Sequence, residues 1–289
     1  MVRQAKQSTE AMFGELRSLL HGEPDEHRFE ALCQMIDVWP EPSRREVAIP
    51  YSIDQLARWP RSLRRTTHRM REAIVGGEVP ASLTLCVELW LGFDYFLPGQ
   101  RLTNNAIKSL ARSPWLYGAE RLNLTSQPIG DGACFALAEA ASLTGLRHLE
   151  LDFTCISLRG VAALAQSKVL ENVRYLVLSN LDLGDPAIEV FANHFKGRAL
   201  EILDLSSNKL TDRSTFALAE CEALTTLKEL DLRFNGISDE GAFALASSPH
   251  LDKIERLAVD YNEIGLAGWR ALVHSPNYWR AEVSCYPTR

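Results

Sequence analysis

The sequence predicts an α/β solenoid, a horseshoe of parallel inner strands and outer helices preceded by a small all-helical domain. Three observations carry that prediction. Segments of the form L-x-x-L-x-L recur at 146–151, 173–178, 200–205, 227–232 and 254–259, with a weaker copy at Leu122-Asn-Leu124, and their middle leucines stand 27 residues apart at 122, 149, 176, 203, 230 and 257. Inside each copy apolar and polar residues alternate as in a strand with one buried face: Leu149 and Leu151 point inward, His148, Glu150 and Asp152 outward. At the same period a second motif follows, as in Ile129–Ala138, Leu210–Ala219 and Ile237–Ala246, and its spacing reads as a helix.

Residues 1–84 lack the repeat. Their pattern predicts helices over about 9–20, 25–38, 52–58 and 62–75, divided by Pro40, Pro42, Pro50, Pro60 and Gly76-Gly77. The last of these helices would carry a basic face of Arg58, Arg61, Arg64, Arg65, Arg69 and Arg71, with Leu63, Met70 and Ile74 opposite. Arg61, Arg64 and Arg65 are therefore a candidate basic contact surface; the alternative is the solvated outer face of a capping helix, paired with local carboxylates.

Residues 85–289 hold about seven repeats. For the first strand, strict register points to Tyr95 and Leu97, which Pro98-Gly99 would interrupt, so the alternating run at Val87–Leu91 is taken instead. That choice lengthens the loop over 92–101 by about six residues relative to the other repeats. Asn208, Asn235 and Asn262 stand where the chain leaves each strand, and their amides can serve backbone groups that the sheet cannot pair. Gln127, Thr154 and Leu181 at the equivalent positions are expected to weaken this ladder in the first half. Asp131, Asp185, Asp212, Asp239 and Asn104 sit where an N-cap accepts orphan amide protons. Ala133, Gly160, Ala187, Ser214, Gly241 and Gly268 keep one position small, which reads as close approach of helix and strand. Leu137, Leu164, Phe191, Leu218, Leu245 and Leu272 fill the core, and Ser-Pro pairs at 113, 248 and 275 end three helices. Residues 274–289, with Tyr278, Trp279 and Tyr286, read as a C-terminal cap.

The combined motif, L-x-x-L-x-L-x-x-N-x-[IL]-[GST]-D-x-[GA]-x-x-x-L-A, resembles the ribonuclease-inhibitor-type subclass of leucine-rich repeats over about residues 85–289. The resemblance implies a leucine-rich-repeat horseshoe and a protein-binding role on its concave face.

Composition narrows the function. The six cysteines include no C-x-x-C and form no cysteine–histidine cluster, and the seven histidines are dispersed, so neither a metal nor a cofactor is expected. No run of about 18 apolar residues or secretory leader is legible, so the chain is expected to be cytoplasmic and to need no membrane. The net charge of −6 belongs to the repeats: residues 1–84 carry 12 basic and 12 acidic groups, leaving 19 against 25 in the rest, which disfavours a nucleic-acid partner.

Residues flanking the strand leucines line the concave surface in columns. Tyr175, Phe153, Phe234 and Tyr261 are the candidate aromatic anchors, and Glu150, Asp152, Asp204, Glu229, Asp231 and Asp260 the candidate electrostatic contacts for a protein partner with a basic surface. Glu229, Asp231 and Asp204 are expected to form one acidic patch, with Phe234 and Tyr261 side by side at its edge; the alternative leaves all of these as ordinary solvated strand positions, with the aromatics partly buried in the strand-exit turn. Pairs such as Asp204 with Asp231 or His148 with Glu150 would lie on an open surface without a nucleophile motif or phosphate loop, so no enzyme is expected. The repeats are also similar to those of the Ran type of GTPase-activating protein, which implies an alternative role as regulator of a small GTPase, with Arg101 as its one arginine to name. This chain lacks that family's acidic tail. A third reading is a structural scaffold anchored through the helical domain.

Overall fold

The computed structural model describes residues 2–92 and 101–286, with side chains from residue 10 onward. Eight three-residue strands among them form one parallel sheet in sequence order: β1 Glu88–Trp90, β2 Arg121–Asn123, β3 His148–Glu150, β4 Tyr175–Val177, β5 Ile202–Asp204, β6 Glu229–Asp231, β7 Arg256–Ala258 and β8 Glu282–Ser284. Their middle residues, Leu89, Leu122, Leu149, Leu176, Leu203, Leu230, Leu257 and Val283, align across the sheet. A one-residue slip would turn every buried leucine to solvent, so the leucines fix the register. The outer layer is α5 Asn104–Arg112, α6 Asp131–Ala138, α7 Leu158–Ala165, α8 Gly184–His194, α9 Asp212–Ala219, α10 Asp239–Ala246 and α11 Leu266–Val273. Strand leucines and helix residues such as Leu137, Leu218 and Leu245 share one continuous core. This is the α/β horseshoe of a leucine-rich-repeat fold.

The first strand is the run chosen from alternation, while the competing Tyr95 and Leu97 and most of the lengthened loop lie outside the described residues. β8 was not foreseen. It follows β7 after 26 residues rather than 27 and carries Val283 where the other strands carry leucine, so the motif is not visible there. The segment expected to be a cap therefore contributes a further strand to the sheet.

At the strand exits each carboxamide bridges two repeats. Asn208 Oδ1 accepts the Leu181 and Leu183 N–H groups, while its Nδ2 donates to the carbonyls of Leu178, Leu205 and Ser206. Asn235 and Asn262 repeat the pattern. Gln127 does not weaken the ladder. Its amide accepts from Leu102 N–H and donates to Leu91 C=O, joining the first repeat to the second. Thr154 donates only to Leu151 C=O in its own repeat, and Leu181 depends on its neighbour's Asn208.

The aspartates act across repeats rather than as caps of their own helices. The residues that cap are Thr103, Ser157, Thr211 and Ser238, whose hydroxyls accept the first-turn amides. One position further on, Asp131 accepts from the Ser157 and Gly160 N–H groups and the Ser157 hydroxyl. Asp212 does the same for Ser238 and Gly241, and Asp239 accepts from the Gly265 and Gly268 amides. This corrects the reason for the small column as well. A Cβ on Gly241 would stand 2.4 Å from Asp212 Oδ1, and one on Gly268 2.5 Å from Asp239 Oδ1, so at those positions glycine makes room for the carboxylate of the preceding repeat. At Ser214 the side chain itself donates to Asp185.

The N-terminal part contains α1 Val2–His21, α2 Glu26–Val38, α3 Ile49–Leu56 and α4 His68–Val75. A π-helical turn at Arg44–Ala48 runs directly into α3, so the helical run passes through Pro50 and α3 starts three residues before the expected position. The basic helix expected over 62–75 begins only at His68, capped by the Thr67 hydroxyl. Arg61 lies in a 3₁₀ turn, and the chain at Arg64–Thr66 runs alongside β1: Val87 and Glu88 donate to Arg64 C=O, and Thr66 N–H donates to Glu88 C=O. Those backbone bonds cover the sheet edge that β1 would otherwise expose.

Candidate functional site

The concave face begins at the strand-exit turns. Six residues at the period of the repeat, Ser126, Phe153, Asn180, Ser207, Phe234 and Tyr261, have φ between 53° and 59°. Asparagine suits a left-handed position, whereas serine and the aromatics carry a Cβ clash there of about 1–2 kcal/mol. Yet Phe153, Phe234 and Tyr261 stand 58%, 53% and 61% exposed. Phe234 and Tyr261 stack at 4.3 Å with ring planes 5° apart, and Tyr286 leans on Tyr261 at 6.3 Å. Burial in the turn therefore does not account for them, and strain kept at exposed positions marks a candidate contact ridge. Phe153 stands apart from it, flanked in its column by Ser126 and Asn180.

A second aromatic group lies on the strands. Tyr175 stacks on His148 at 5.5 Å, and the Arg121 guanidinium lies 3.1 Å from His148 Nδ1. Burial, then the Arg121 charge, lowers the pKa of His148 and favours the neutral ring. Trp90 extends this group: its indole donates to Glu88, and the guanidinium groups of Arg65 and Arg121 lie 5.6 and 6.0 Å from its ring. Sequence reasoning placed Trp90 and His148 in the columns of the concave face but named only Tyr175 of this group as a contact, and the register sets His148 opposite both Arg121 and Tyr175.

The acidic candidates are treated unequally. Glu150 accepts from Asn123 Nδ2 and lies 3.9 Å from Arg121; burial still raises its pKa. Asp152 accepts from the Thr125 hydroxyl and Asp260 from that of Ser284. Asp204, Asp231 and Glu229 are brought together as expected, but they do not form an open acidic patch. Arg233 closes on Asp231 at 2.5 Å, and Arg256 lies 3.7 Å from Glu229. Asp204 accepts only from Ser206, through N–H and hydroxyl, and burial raises its pKa against those two bonds. These residues line a groove of about 270 Å³ with Tyr175 and Ile202.

The basic candidates on the N-terminal part are already engaged. Arg61 pairs with Glu120 at 2.6 Å, Arg65 with Glu88 at 3.1 Å, and Arg64 donates to Leu85 C=O. Among the described residues no three His, Cys, Asp or Glu side chains gather as a metal site requires, and no helix is long and apolar enough to cross a membrane.

Such an array of strand, exit turn and outer helix is a leucine-rich-repeat fold. Residues 198–219 and 223–246 match the family model described as Leucine Rich repeat. No curated protein sequence matches the chain. Among solved structures, an internalin (inlF) from Listeria monocytogenes is 15% identical with a TM-score of 0.38, over 72% of this chain and 63% of that one. The chain thus spans less than two thirds of that protein's length. Internalin C2 from the same organism is 18% identical at a TM-score of 0.46, covering 78% of this chain and 96% of its own. The ectodomain of the Arabidopsis receptor kinase HAESA, solved with a peptide hormone ligand, is 18% identical at 0.38, over 63% of this chain and 32% of that chain.

Proposed function

We propose that the chain is a non-enzymatic interaction module that binds a protein partner on the concave face of its solenoid. The observation that carries this reading is the ridge of Phe234, Tyr261 and Tyr286, stacked, exposed and in part held at strained backbone positions that serine or asparagine fills elsewhere. Aromatic rings offer large burial at small entropic cost, which suits them as anchors. Tyr175 and Phe153 would extend the contact, while Glu150, Asp152, Asp204, Glu229, Asp231 and Asp260 would orient a partner with a basic surface. Residues 1–84 would serve as the helical cap and 85–289 as the repeat domain, of ribonuclease-inhibitor type given one helix per 27 residues. The free cysteines, four of them buried, suit a cytoplasmic setting.

The test is affinity capture from the native source with the full chain and with a Phe234→Asn, Tyr261→Asn variant. Asparagine accepts a left-handed backbone, so the fold should survive while the anchor is lost. A partner retained by the chain and lost by the variant, at unchanged melting temperature, supports the reading; equal retention of that partner by both sinks it.

A further inference from the structure

We propose that Asp204 receives one lysine or arginine side chain of the partner, with the ring of Tyr175 flanking its aliphatic stem. This rests on the concave-face reading and specifies its electrostatic centre. The groove at β4–β7 is lined by Tyr175, Ile202, Asp204, Glu229, Asp231 and Arg233, among others. Four carboxylates line it, and two have a cation from this chain within 4.0 Å: Asp231 has Arg233 at 2.5 Å and Glu229 has Arg256 at 3.7 Å, while Glu282 is exposed on β8 in register with Arg256. Asp204 has none within 4.0 Å among the described residues, and both of its donors, the N–H and hydroxyl of Ser206, fall on the same oxygen, Oδ1. Oδ2 is left for a donor from outside.

The class of that donor follows from the surroundings. Asp231 lies in register beside Asp204 and adds to the negative potential. Arg233 and Arg256 are already occupied by carboxylates, so an anion would have to displace an existing pair. Ile202, two residues before Asp204 on β5, and Tyr175, its register partner on β4, supply apolar surface, and the phenol pKa of Tyr175 is raised by burial, then by the charges of Glu150 and Asp204. A long side chain with an apolar stem and a cationic head fits this lining: the stem packs on the wall while the head reaches the carboxylate. The desolvation already borne by Asp204, visible in its raised pKa, is the cost a partner's cation would offset.

A displayed library of random twelve-residue peptides, panned against the full chain, supplies the probe. The expected result is a family of peptides with lysine or arginine at one fixed position. Their affinity should fall at least tenfold on Asp204→Asn, and also when that cation is replaced by methionine, with little further loss when both changes are combined. Asparagine keeps an acceptor for Ser206, and an unchanged melting temperature confirms the fold; Glu220→Gln, exposed at the end of α9 in the outer layer, should leave affinity unchanged. Peptides that are lost on Phe234→Asn, Tyr261→Asn but unaffected by Asp204→Asn, or that lack a fixed cation, overturn the assignment while the concave-face reading stands. Peptides indifferent to every concave substitution, or no enriched peptide at all, overturn both.

Discussion

Asn208 shows how much one side chain can carry in this fold. It is fully buried, and its five bonds satisfy backbone groups of two successive repeats that no strand partner reaches. Because each buried group left unpaired costs about 1–3 kcal/mol, Asn208→Ala should destabilise the chain by roughly 3–5 kcal/mol, at the top of the range for single substitutions. Denaturant melts would check this; a loss below about 1 kcal/mol would mean that water replaces the amide. Phe234 has the opposite character. Its exposure and left-handed backbone predict that Phe234→Gly is neutral or stabilising by up to about 1 kcal/mol, since the strain relieved opposes glycine's entropy cost. A marked fall in stability would show that the ring supports the fold rather than a partner.

Between elements, the aspartates tie each helix start to the next. Burial tends to raise the pKa of Asp185, but donors from Thr211 and Ser214 outweigh it and leave the carboxyl below its ordinary value. A depressed folded pKa means that the stabilisation is fully present above the unfolded value of about 3.9 and is lost as pH falls through the folded one. The stability difference between the native chain and Asp185→Asn should therefore be constant near neutrality and shrink below about pH 4; a difference independent of pH would exclude the charge as its source. Gly241 tests the same ladder sterically. Gly241→Val places its Cβ on Asp212 Oδ1 and branches against Thr215 and Ile237, so a loss of about 1–3 kcal/mol is expected from overpacking and a displaced carboxylate.

Across the whole molecule the two ends of the sheet are finished differently. At β1 the segment Arg64–Thr66 supplies backbone partners, and the Thr66 hydroxyl bonds both N–H and C=O of Trp90. At the other end Val283 of β8 is only half-buried, whereas its counterparts from Leu89 to Leu257 are buried. In a solenoid each repeat is stabilised by its neighbours, so opening should start at β8, which among the described residues pairs with a strand on one side. Amide hydrogen exchange should show strongest protection in β3 to β6 and weakest in β8, with β1 closer to the centre than to β8. Equal protection at β8 and β4 would mean that the array opens only as a unit. The same asymmetry explains the basic residues. Arg61 and Arg65 pair with Glu120 and Glu88 of the first repeats, so charge reversal at both should loosen the N-terminal part before it affects any partner.

The sequence by itself determined the repeat, its register and the inward leucines, because a period held at 27 residues forces neighbouring strands into alignment and a two-residue alternation decides which side is buried. It also placed the columns of the concave face, so Phe234 beside Tyr261 was legible before any coordinates. Local motifs could not say which repeat a polar side chain serves. Asp131 and its counterparts look like caps of their own helices, and only stacking brings them to the amides of the next repeat; Gln127 looks like a defect until its carboxamide is seen to bridge two repeats as that of Asn208 does. Charge was the least legible property. A list of carboxylates suggests an acidic patch, whereas rotamers decide that Arg233 and Arg256 cover two of them and leave Asp204. The tertiary structure decided these points because they depend on distances between side chains of different repeats, and a single repeat does not contain them.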